Sequence, residues 1–173
     1  MYLNPGGIDY YEAFSPVARH ETIRLVIALA CSKSWSIYHL DVKSAFLNGP
    51  LVEIVYITQP LGFVIQGKED RVYKLHKALY GLKEAPRAWN KRIDRFFLEQ
   101  GFKKCVTEHG VYVKGKMRSK VMIICLFVDD LLVTKNCAQY IDRFKLKMKQ
   151  EFERTDLGKI AYFLGMEILN TSK

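Results

Sequence analysis

Two adjacent acids, Asp129 and Asp130, stand between the apolar runs 121–127 and 131–133. An apolar run, a two-residue reversal at these acids and a second apolar run predict a strand–turn–strand hairpin. Hairpin turns usually contain glycine, because glycine accepts positive φ at low cost. In this predicted turn, two aspartates stand in place of glycine. Two carboxylates about 4 Å apart repel by about 4 kcal/mol at an effective dielectric near 20. Either one acid is protonated, a cation lies between them, or both point into solvent as an ordinary exposed turn.

A second strand pattern also ends in an acid. Residues 36–41 alternate as a strand and end at Asp41, from which the chain continues through residues 42–49. If both strands lie in one sheet, three carboxylates converge. This layout suits two Mg²⁺ ions that clamp an in-line displacement at phosphorus. The histidine and cysteine residues lack zinc-site spacing, which argues against zinc.

Length and charge narrow the class of protein. The 173 residues, 49% of them hydrophobic, predict one domain with a substantial core. A net charge of +9 favours a polyanionic partner, nucleic acid before an anionic membrane surface. The longest apolar run, 25–31, is too short to span a bilayer and residues 1–7 do not resemble a secretory signal, so we expect no membrane partner. The four cysteines are interpreted as free thiols.

Hydrophobic periodicity predicts three helices and a set of short strands. The helices are expected at 22–33, 85–100 and 138–152, the last with Ile141, Phe144, Met148 and Phe152 inward. The strands are expected at 36–42, 52–58, 72–75, 112–113, 121–127 and 131–133, with a closing hairpin of 160–164 and 166–169 around Gly165. Strands that alternate with two helices predict an α+β fold of β-α-β-β-α-β order. Its single antiparallel sheet carries the helices on one face.

Several strings of residues carry a resemblance to a known family. They are GIDY (7–10) with FSPV (14–17), LDVKSAFLNG (40–49), QPLGF (59–63), LYGLKEAPRAW (79–89), FVDD (127–130), and DLG (156–158) with YFLGMEI (162–168). In this order and spacing the chain resembles the reverse transcriptase domain of copia-type (Pseudoviridae) LTR retrotransposon Pol polyproteins, over nearly its whole length.

The resemblance implies a polymerase palm of ferredoxin-like topology plus partial fingers, as a single domain over residues 1–173. The family's upstream fingers segment and its downstream thumb and ribonuclease H are expected to be absent from this chain. It implies a fragment of a Pol polyprotein whose other parts are integrase and ribonuclease H. The implied location is intracellular, in a cytoplasmic virus-like particle or in the nucleus.

The resemblance also implies a catalytic centre. Asp41 and Asp129 bind two Mg²⁺ ions, with Mn²⁺ as an alternative, and Asp130 supports the ion that activates the primer 3′-hydroxyl. The carbonyl of Val42 completes the nucleotide-side ion. The implied substrates are a deoxynucleoside triphosphate and an RNA or DNA template–primer.

Further residues are implied in substrate binding. The implied nucleotide-binding residues are Lys43, Ser44, Ala45, Phe46, Tyr80 and Gly81. Phe46 matches the aromatic that excludes a ribose 2′-hydroxyl, and Tyr80 and Gly81 match the segment beneath the nucleotide. The implied template–primer contacts are Lys83, Arg87, Phe127, Val128, Leu164, Gly165 and Met166. Structural interpretations remain open. Phe46 could be a core aromatic, Lys83 and Arg87 a solvated helix start, and 164–166 a plain edge hairpin.

One departure from the family pattern lies in the string FVDD (127–130). Phe127 stands where tyrosine is commonest in the family, so the tyrosine hydroxyl is absent. The leading functional hypothesis is an RNA-directed DNA polymerase. The alternatives are a catalytically silent nucleic-acid-binding remnant of a retroelement and a two-metal nuclease.

Overall fold

The computed structural model describes residues 2–3, 16–116, 120–136 and 138–168. The predicted family strings 7–10 and 14–15 lie outside the described residues. The helices are α1 (His20–Ser32), α2 (Ala85–Glu99) and α3 (Ala138–Glu151), and a short 3₁₀ turn spans Ala45–Asn48. The strands are β1 (Tyr2–Leu3), β2 (Ser36–Val42), β3 (Tyr56–Thr58), β4 (Val72–Lys74), β5 (Lys103–Lys104), β6 (Val111–Gly115), β7 (Val121–Phe127), β8 (Asp130–Lys135), β9 (Arg154–Lys159), β10 (Tyr162–Phe163) and β11 (Met166–Glu167).

The described residues fall into two compact units. Strand β1 and residues 46–93 belong to the first, and residues 16–45 with the described part of 94–168 belong to the second. The boundary falls within the 3₁₀ turn and again within α2. The fold is mixed α/β with a mainly antiparallel sheet. Within the described part of the chain, no helix combines the length and the apolar character that a membrane crossing requires.

The first unit contains the three-stranded sheet β1-β3-β4. Its core includes Val55, Ala78 and Leu82, all less than a tenth exposed. The strand predicted over 52–58 is shorter than expected, because only Tyr56–Thr58 has a ladder partner in β4. Val52 is 82% exposed, so its β-branched side chain does not contribute to a buried strand face. Gly49 allows the chain to pass close to α2, since a Cβ there would lie 2.6 Å from the backbone nitrogen of Trp89.

The second unit is built on a six-stranded antiparallel sheet of order β5-β6-β7-β8-β2-β9. Every residue of β7 from Val121 to Leu126 is buried, so other elements must pack against both faces of the sheet at this strand. Helix α1 covers one face and places Ile23, Val26 and Ala30 in a cluster with alternate residues of β7.

The opposite face is covered by the C-terminal part of α2 and by α3. Phe97 lies 4.7 Å from Tyr112 and 6.3 Å from Phe144 between ring centroids, and Phe96 lies 5.3 Å from Phe152. The four residues predicted to face inward, three in α3 and Phe152 directly after it, are all buried. The α2 and α3 helices therefore share a face, as predicted. The expectation that helices occupy one face only is wrong for the whole unit, because α1 covers the other face of the fully apolar strand β7.

Two strands of this sheet were not predicted. Strand β9 is polar and lacks an apolar period, yet it pairs with β2 from Val42 to Tyr38 across a bulge. Strand β5 has only two residues and pairs with β6. The predicted closing hairpin is present as β10 and β11, with Leu164 and Gly165 in its turn. Residue 169, its predicted last residue, lies outside the described residues.

Candidate active site

The β7–β8 hairpin turns one residue earlier than predicted. Phe127 pairs with Asp130 across the ladder, so Val128 and Asp129 form the two-residue turn and Asp130 is already the first residue of β8. Val128 has a φ of 58°, in the left-handed region that a β-branched side chain rarely adopts. Such a residue costs about 1–3 kcal/mol and persists only where its surroundings impose it. The strained turn fixes the direction in which Asp129 leaves the sheet.

The three predicted carboxylates converge at one end of the sheet. Asp41 of β2 lies opposite Asp130 of β8 in the antiparallel register. Side chains opposite each other in such a ladder have Cβ atoms about 4.5–5.5 Å apart. The Val42 amide donates a hydrogen bond of 3.0 Å to the Asp129 carbonyl oxygen, which ties the turn to β2. Acids from distant parts of the sequence therefore meet at the hairpin tip.

Burial and mutual repulsion act on these acids in the same direction. Burial raises the pKa of Asp41 above its ordinary value of 3.8, and the Asp130 charge raises it further, while His39 and Lys43 oppose the shift. Burial also raises the pKa of Asp129, with the charges of Asp130 and Asp41 adding to the effect. The ionised forms of Asp41 and Asp129 are therefore destabilised by burial and by neighbouring acidic charge, which a bound cation would offset.

His39 is a member of the site that the sequence analysis did not single out. Its Nε2 atom lies 2.6 Å from Asp130 Oδ1, and its ring contacts Phe163 at 5.0 Å in an edge-to-face arrangement. The side chain of His39 is 15% exposed and that of Asp130 27%. The sequence does indicate that His39 and Asp41 lie on the same face of the sheet, because residues two apart in a strand point to the same side.

Replacing Asp41 with asparagine is expected to raise the thermal midpoint of the chain in metal-free buffer at pH 7. Because the pKa of Asp41 is raised from 3.8 in the folded state, the stability that this group contributes is present at low pH. That contribution is lost as the pH rises through the raised pKa. Asparagine has no charge to crowd against Asp130, so we expect a gain of about 1 kcal/mol, or roughly 2–4 °C.

Differential scanning calorimetry at several pH values measures this gain. It should shrink as the pH falls towards the ordinary aspartate pKa of 3.8, where the parent carboxyl becomes neutral as well. Exposed Asp142 on α3 provides the matched asparagine control. A lower midpoint at pH 7, or a gain that does not depend on pH, contradicts the repulsion between these acids.

The side chains at the tip offer oxygen ligands without a closed cage. Among the described residues, no three acidic, histidine or cysteine side chains are grouped tightly enough to hold a metal ion by themselves. Asp130 Oδ1 instead faces His39. Three carboxylates still fit Mg²⁺, because this ion is usually bound by one or two carboxylates and keeps waters or substrate phosphates as its other ligands. Asp41 and Asp129 could hold it, since burial, and then the charges of the neighbouring acids, raise the pKa of both.

Other predicted residues of the second unit are tied into the fold. Lys43 Nζ lies 3.2 Å from Glu153 Oε1 in an exposed ion pair, and Ala45 is buried. Ser44 has a φ of 51°, so the chain turns sharply directly after β2. The Phe127 ring lies 5.6 Å from that of His20, and it packs against the core beneath α1.

The predicted 164–166 segment forms a tight turn. Leu164 and Gly165 both have positive φ, and β10 and β11 flank them. The side chain of Met166 is partly buried against the core cluster beneath α1. Phe163, directly before the turn, contacts His39, so this hairpin is anchored to the strand that carries Asp41.

The predicted nucleotide-binding residues of the first unit also make contacts. The Phe46 and Tyr80 rings lie 5.1 Å apart in a tilted arrangement, and Tyr80 is 53% exposed. Gly81 has a φ of 87°, which glycine adopts without strain. Lys83 is exposed at the start of α2. Arg87 forms an ion pair with Glu53, so its guanidinium already has a carboxylate partner.

Comparison with known proteins places this geometry in context. The family described as "Reverse transcriptase (RNA-dependent DNA polymerase)" matches residues 2–173. The chain is 40% identical over 163 residues to the Retrovirus-related Pol polyprotein from transposon TNT 1-94 of Nicotiana tabacum, covering 94% of this chain and 12% of that protein. It is 40% identical over 166 residues to the corresponding polyprotein from transposon RE1 of Arabidopsis thaliana, covering 96% of this chain and 11% of that protein. The putative transposon Ty5-1 protein of Saccharomyces cerevisiae is 38% identical over 133 residues, which are 77% of this chain and 43% of that protein. The chain thus spans about a tenth of the length of the two plant polyproteins.

Proposed function

The chain belongs to the reverse transcriptase family, and from this premise we propose that it is the core of an RNA-directed DNA polymerase. It would add deoxynucleotides to a primer 3′-hydroxyl on an RNA or DNA template. The observation that carries the proposal is the convergence of Asp41, Asp129 and Asp130 at one end of the sheet. Because the matched relatives are Pol polyproteins, the proposal includes action within such a polyprotein beside integrase and ribonuclease H.

The second unit is proposed to be the polymerase palm, with the ferredoxin-like β-α-β-β-α-β plan. The strand order supports this, since β9-β2-β8-β7 corresponds to the order 4-1-3-2 when the four strands are numbered along the chain. Helix α2 follows the first of these strands and α3 follows the third, and the two helices share a face. The first unit is proposed to be part of the fingers.

Asp41 and Asp129 are proposed to hold two Mg²⁺ ions, with Asp130 supporting the one on the primer side and the Val42 carbonyl the one on the nucleotide side. When bound, these ions make the primer hydroxyl more acidic and neutralise charge on the α-phosphate. Asp41 is held by ladders on both sides, because β2 lies between β8 and β9. His39 holds one oxygen of Asp130, which leaves the other for an ion or a water.

Phe46 and Tyr80 are proposed to receive the deoxyribose of the incoming nucleotide. Their ring contact restricts the orientation of Phe46, and a restricted ring can exclude a 2′-hydroxyl by volume. The backbone at Gly81 can approach a ligand closely because it carries no side chain. Lys43, Ser44, Lys83 and the 164–166 hairpin stay proposals for substrate contact. For Arg87, a phosphate would bind the guanidinium beside its Glu53 partner or compete with that carboxylate.

Primer extension tests the proposal. The full chain is incubated with a labelled DNA primer on an RNA template, the four deoxynucleotides, and Mg²⁺ or Mn²⁺, with EDTA as the control. Extension with a divalent ion and its loss with EDTA support the polymerase. Salt-sensitive binding without extension in either metal selects the silent nucleic-acid-binding remnant, which the net charge of +9 favours. Release of nucleotides from the primer selects a nuclease.

A further inference from the structure

A cavity of about 200 Å³ lies in the second unit, at the far end of the β7–β8 hairpin from the acid tip. Val121 and Met122 at the start of β7 and Lys135 at the end of β8 line it, together with residues of β6 and α3. Lys135 is five residues from Asp130 along β8, which corresponds to about 17 Å of extended strand. The cavity is therefore separate from the carboxylate site.

The lining of this cavity combines a largely apolar surface with five cationic side chains. Its cationic residues are Lys114, Lys120, Lys135, Arg143 and Lys147, and in the part of the chain that the structure describes none of its lining residues is acidic. Like charges this close repel one another unless an anion lies among them. We propose that the cavity is a second phosphate-binding site, which takes one or two linked phosphate groups.

Two of the lysine ammonium groups lie over the same aromatic ring. Lys135 Nζ lies 4.6 Å from the Tyr140 ring centroid and Lys120 Nζ lies 5.3 Å from it, so the two ammonium groups are within about 10 Å of each other. This separation is no more than about one Debye length at 0.1 M salt, so the two charges repel with little screening. Lys135 is only 4% exposed, which places one of these charges at the buried end of the cavity. An anion between the two lysines would reduce the repulsion.

Two further lysines converge on Gln100. Lys114 Nζ donates a 2.5 Å hydrogen bond to the backbone oxygen of Gln100, and Lys147 Nζ donates one of 2.5 Å to its side-chain oxygen. An ammonium group has three donors, so one hydrogen bond does not use all the donors of either lysine. Arg143 adds a planar fork suited to two oxygens of one phosphate. The cavity thus offers cations from several directions to a ligand with several anionic oxygens.

Size and wall chemistry limit the ligand. Sites for drug-sized molecules are about 300–1,000 Å³, so this cavity is too small for a whole nucleotide. Phe102 and Phe144, both nearly fully buried, form an apolar wall beside the cations. Linked phosphates occur in a nucleic-acid backbone and in a free polyphosphate or nucleoside triphosphate. The experiment must separate these two sources.

Binding is measured with the full chain in EDTA, so that the carboxylate site takes no part. The probes are inorganic tripolyphosphate, followed by calorimetry, and a fluorescent single-stranded DNA, followed by anisotropy. The double variant Lys120→Gln/Lys147→Gln removes two cavity charges at exposed positions. The double variant Lys33→Gln/Lys149→Gln removes two exposed charges outside the cavity. Thermal midpoints check that both variants stay folded.

We expect the cavity variant to weaken binding of at least one probe by about tenfold or more, and the control variant by about twofold or less. Loss for DNA indicates a nucleic-acid strand as the phosphate source, and loss for tripolyphosphate alone indicates a free polyphosphate. Equal losses in the two double variants, or no binding of either probe to the parent, overturn the site. Because no metal or extension is involved, failure here leaves the polymerase proposal unaffected, and the converse also holds.

Discussion

Substituting Asp129 with asparagine should abolish metal-dependent primer extension while the chain stays folded. Asp129 lies in the two-residue turn beside the opposed pair Asp41 and Asp130, and burial raises its pKa, with the charges of both neighbours adding to the effect. Asparagine has nearly the same shape but no charge with which to hold a divalent ion against this crowding. Loss of a group that only orients a metal ligand already costs about 10–100-fold in metal affinity or activity, so loss of a ligand should cost roughly a hundredfold or more.

Two readouts separate this effect from misfolding. Extension rates report the chemistry, and the rise in thermal midpoint on addition of Mg²⁺ reports ion binding to the folded chain. The parent should show both, and the Asp129→Asn variant neither. Asp142→Asn, on the exposed side of α3, removes the same charge elsewhere in the second unit and should behave as the parent. Equal extension by the parent and Asp129→Asn would exclude the proposed role of the acids.

The largest loss of stability is expected for Phe97→Ala. This side chain is 0% exposed, and its ring contacts Phe96, Phe102, Tyr112 and Phe144 at centroid distances of 5.9, 5.9, 4.7 and 6.3 Å. Truncation leaves a cavity at the centre of this aromatic cluster. Such changes cost about 3–5 kcal/mol in total, and the four ring contacts of Phe97 favour the upper end of this range. We expect the thermal midpoint to fall by roughly 10 °C or more.

The adjacent residue provides a matched control. Leu98 follows Phe97 on α2 but is 48% exposed, so Leu98→Ala removes apolar atoms that are largely in water already. Urea unfolding followed by circular dichroism should show a large decrease in the unfolding free energy for Phe97→Ala, and a change below about 1 kcal/mol for Leu98→Ala. Similar losses in the two variants would contradict the central place of Phe97 in the core.

Elements with a strong apolar period were predictable from sequence. Strands β2 and β7 have the predicted bounds, and the four residues expected to face inward from α3 are buried, with Phe152 directly after the helix. Strand β9 was missed because its polar sequence carries no period, and its strand conformation comes from pairing with β2. The turn between β7 and β8 was displaced by one residue, because a β-branched residue at positive φ is unfavourable locally. Only the packing of the two strands can impose it.

The part of the candidate site that lies at the ends of strands was predictable from the sequence. Asp41 and Asp130 meet because both lie at the same end of paired strands. The contact of His39 with Asp130 depends on rotamers and on the Phe163 ring, which strand spacing does not specify. The pairing of Arg87 with Glu53 was likewise hidden, because an ion pair between partly buried residues far apart in sequence has no local signature.

The outermost strand on one side of the six-stranded sheet, β5, consists only of Lys103 and Lys104. Free sheet edges invite other chains to add strands, and natural proteins guard them with very short strands and lysines. Lys103 is exposed, while Lys104 Nζ is held 2.8 Å from Asp94 Oδ1. A second copy docking here would gain at most two residues of pairing and would juxtapose like charges. This edge therefore protects a chain rich in apolar strands from amyloid-like aggregation.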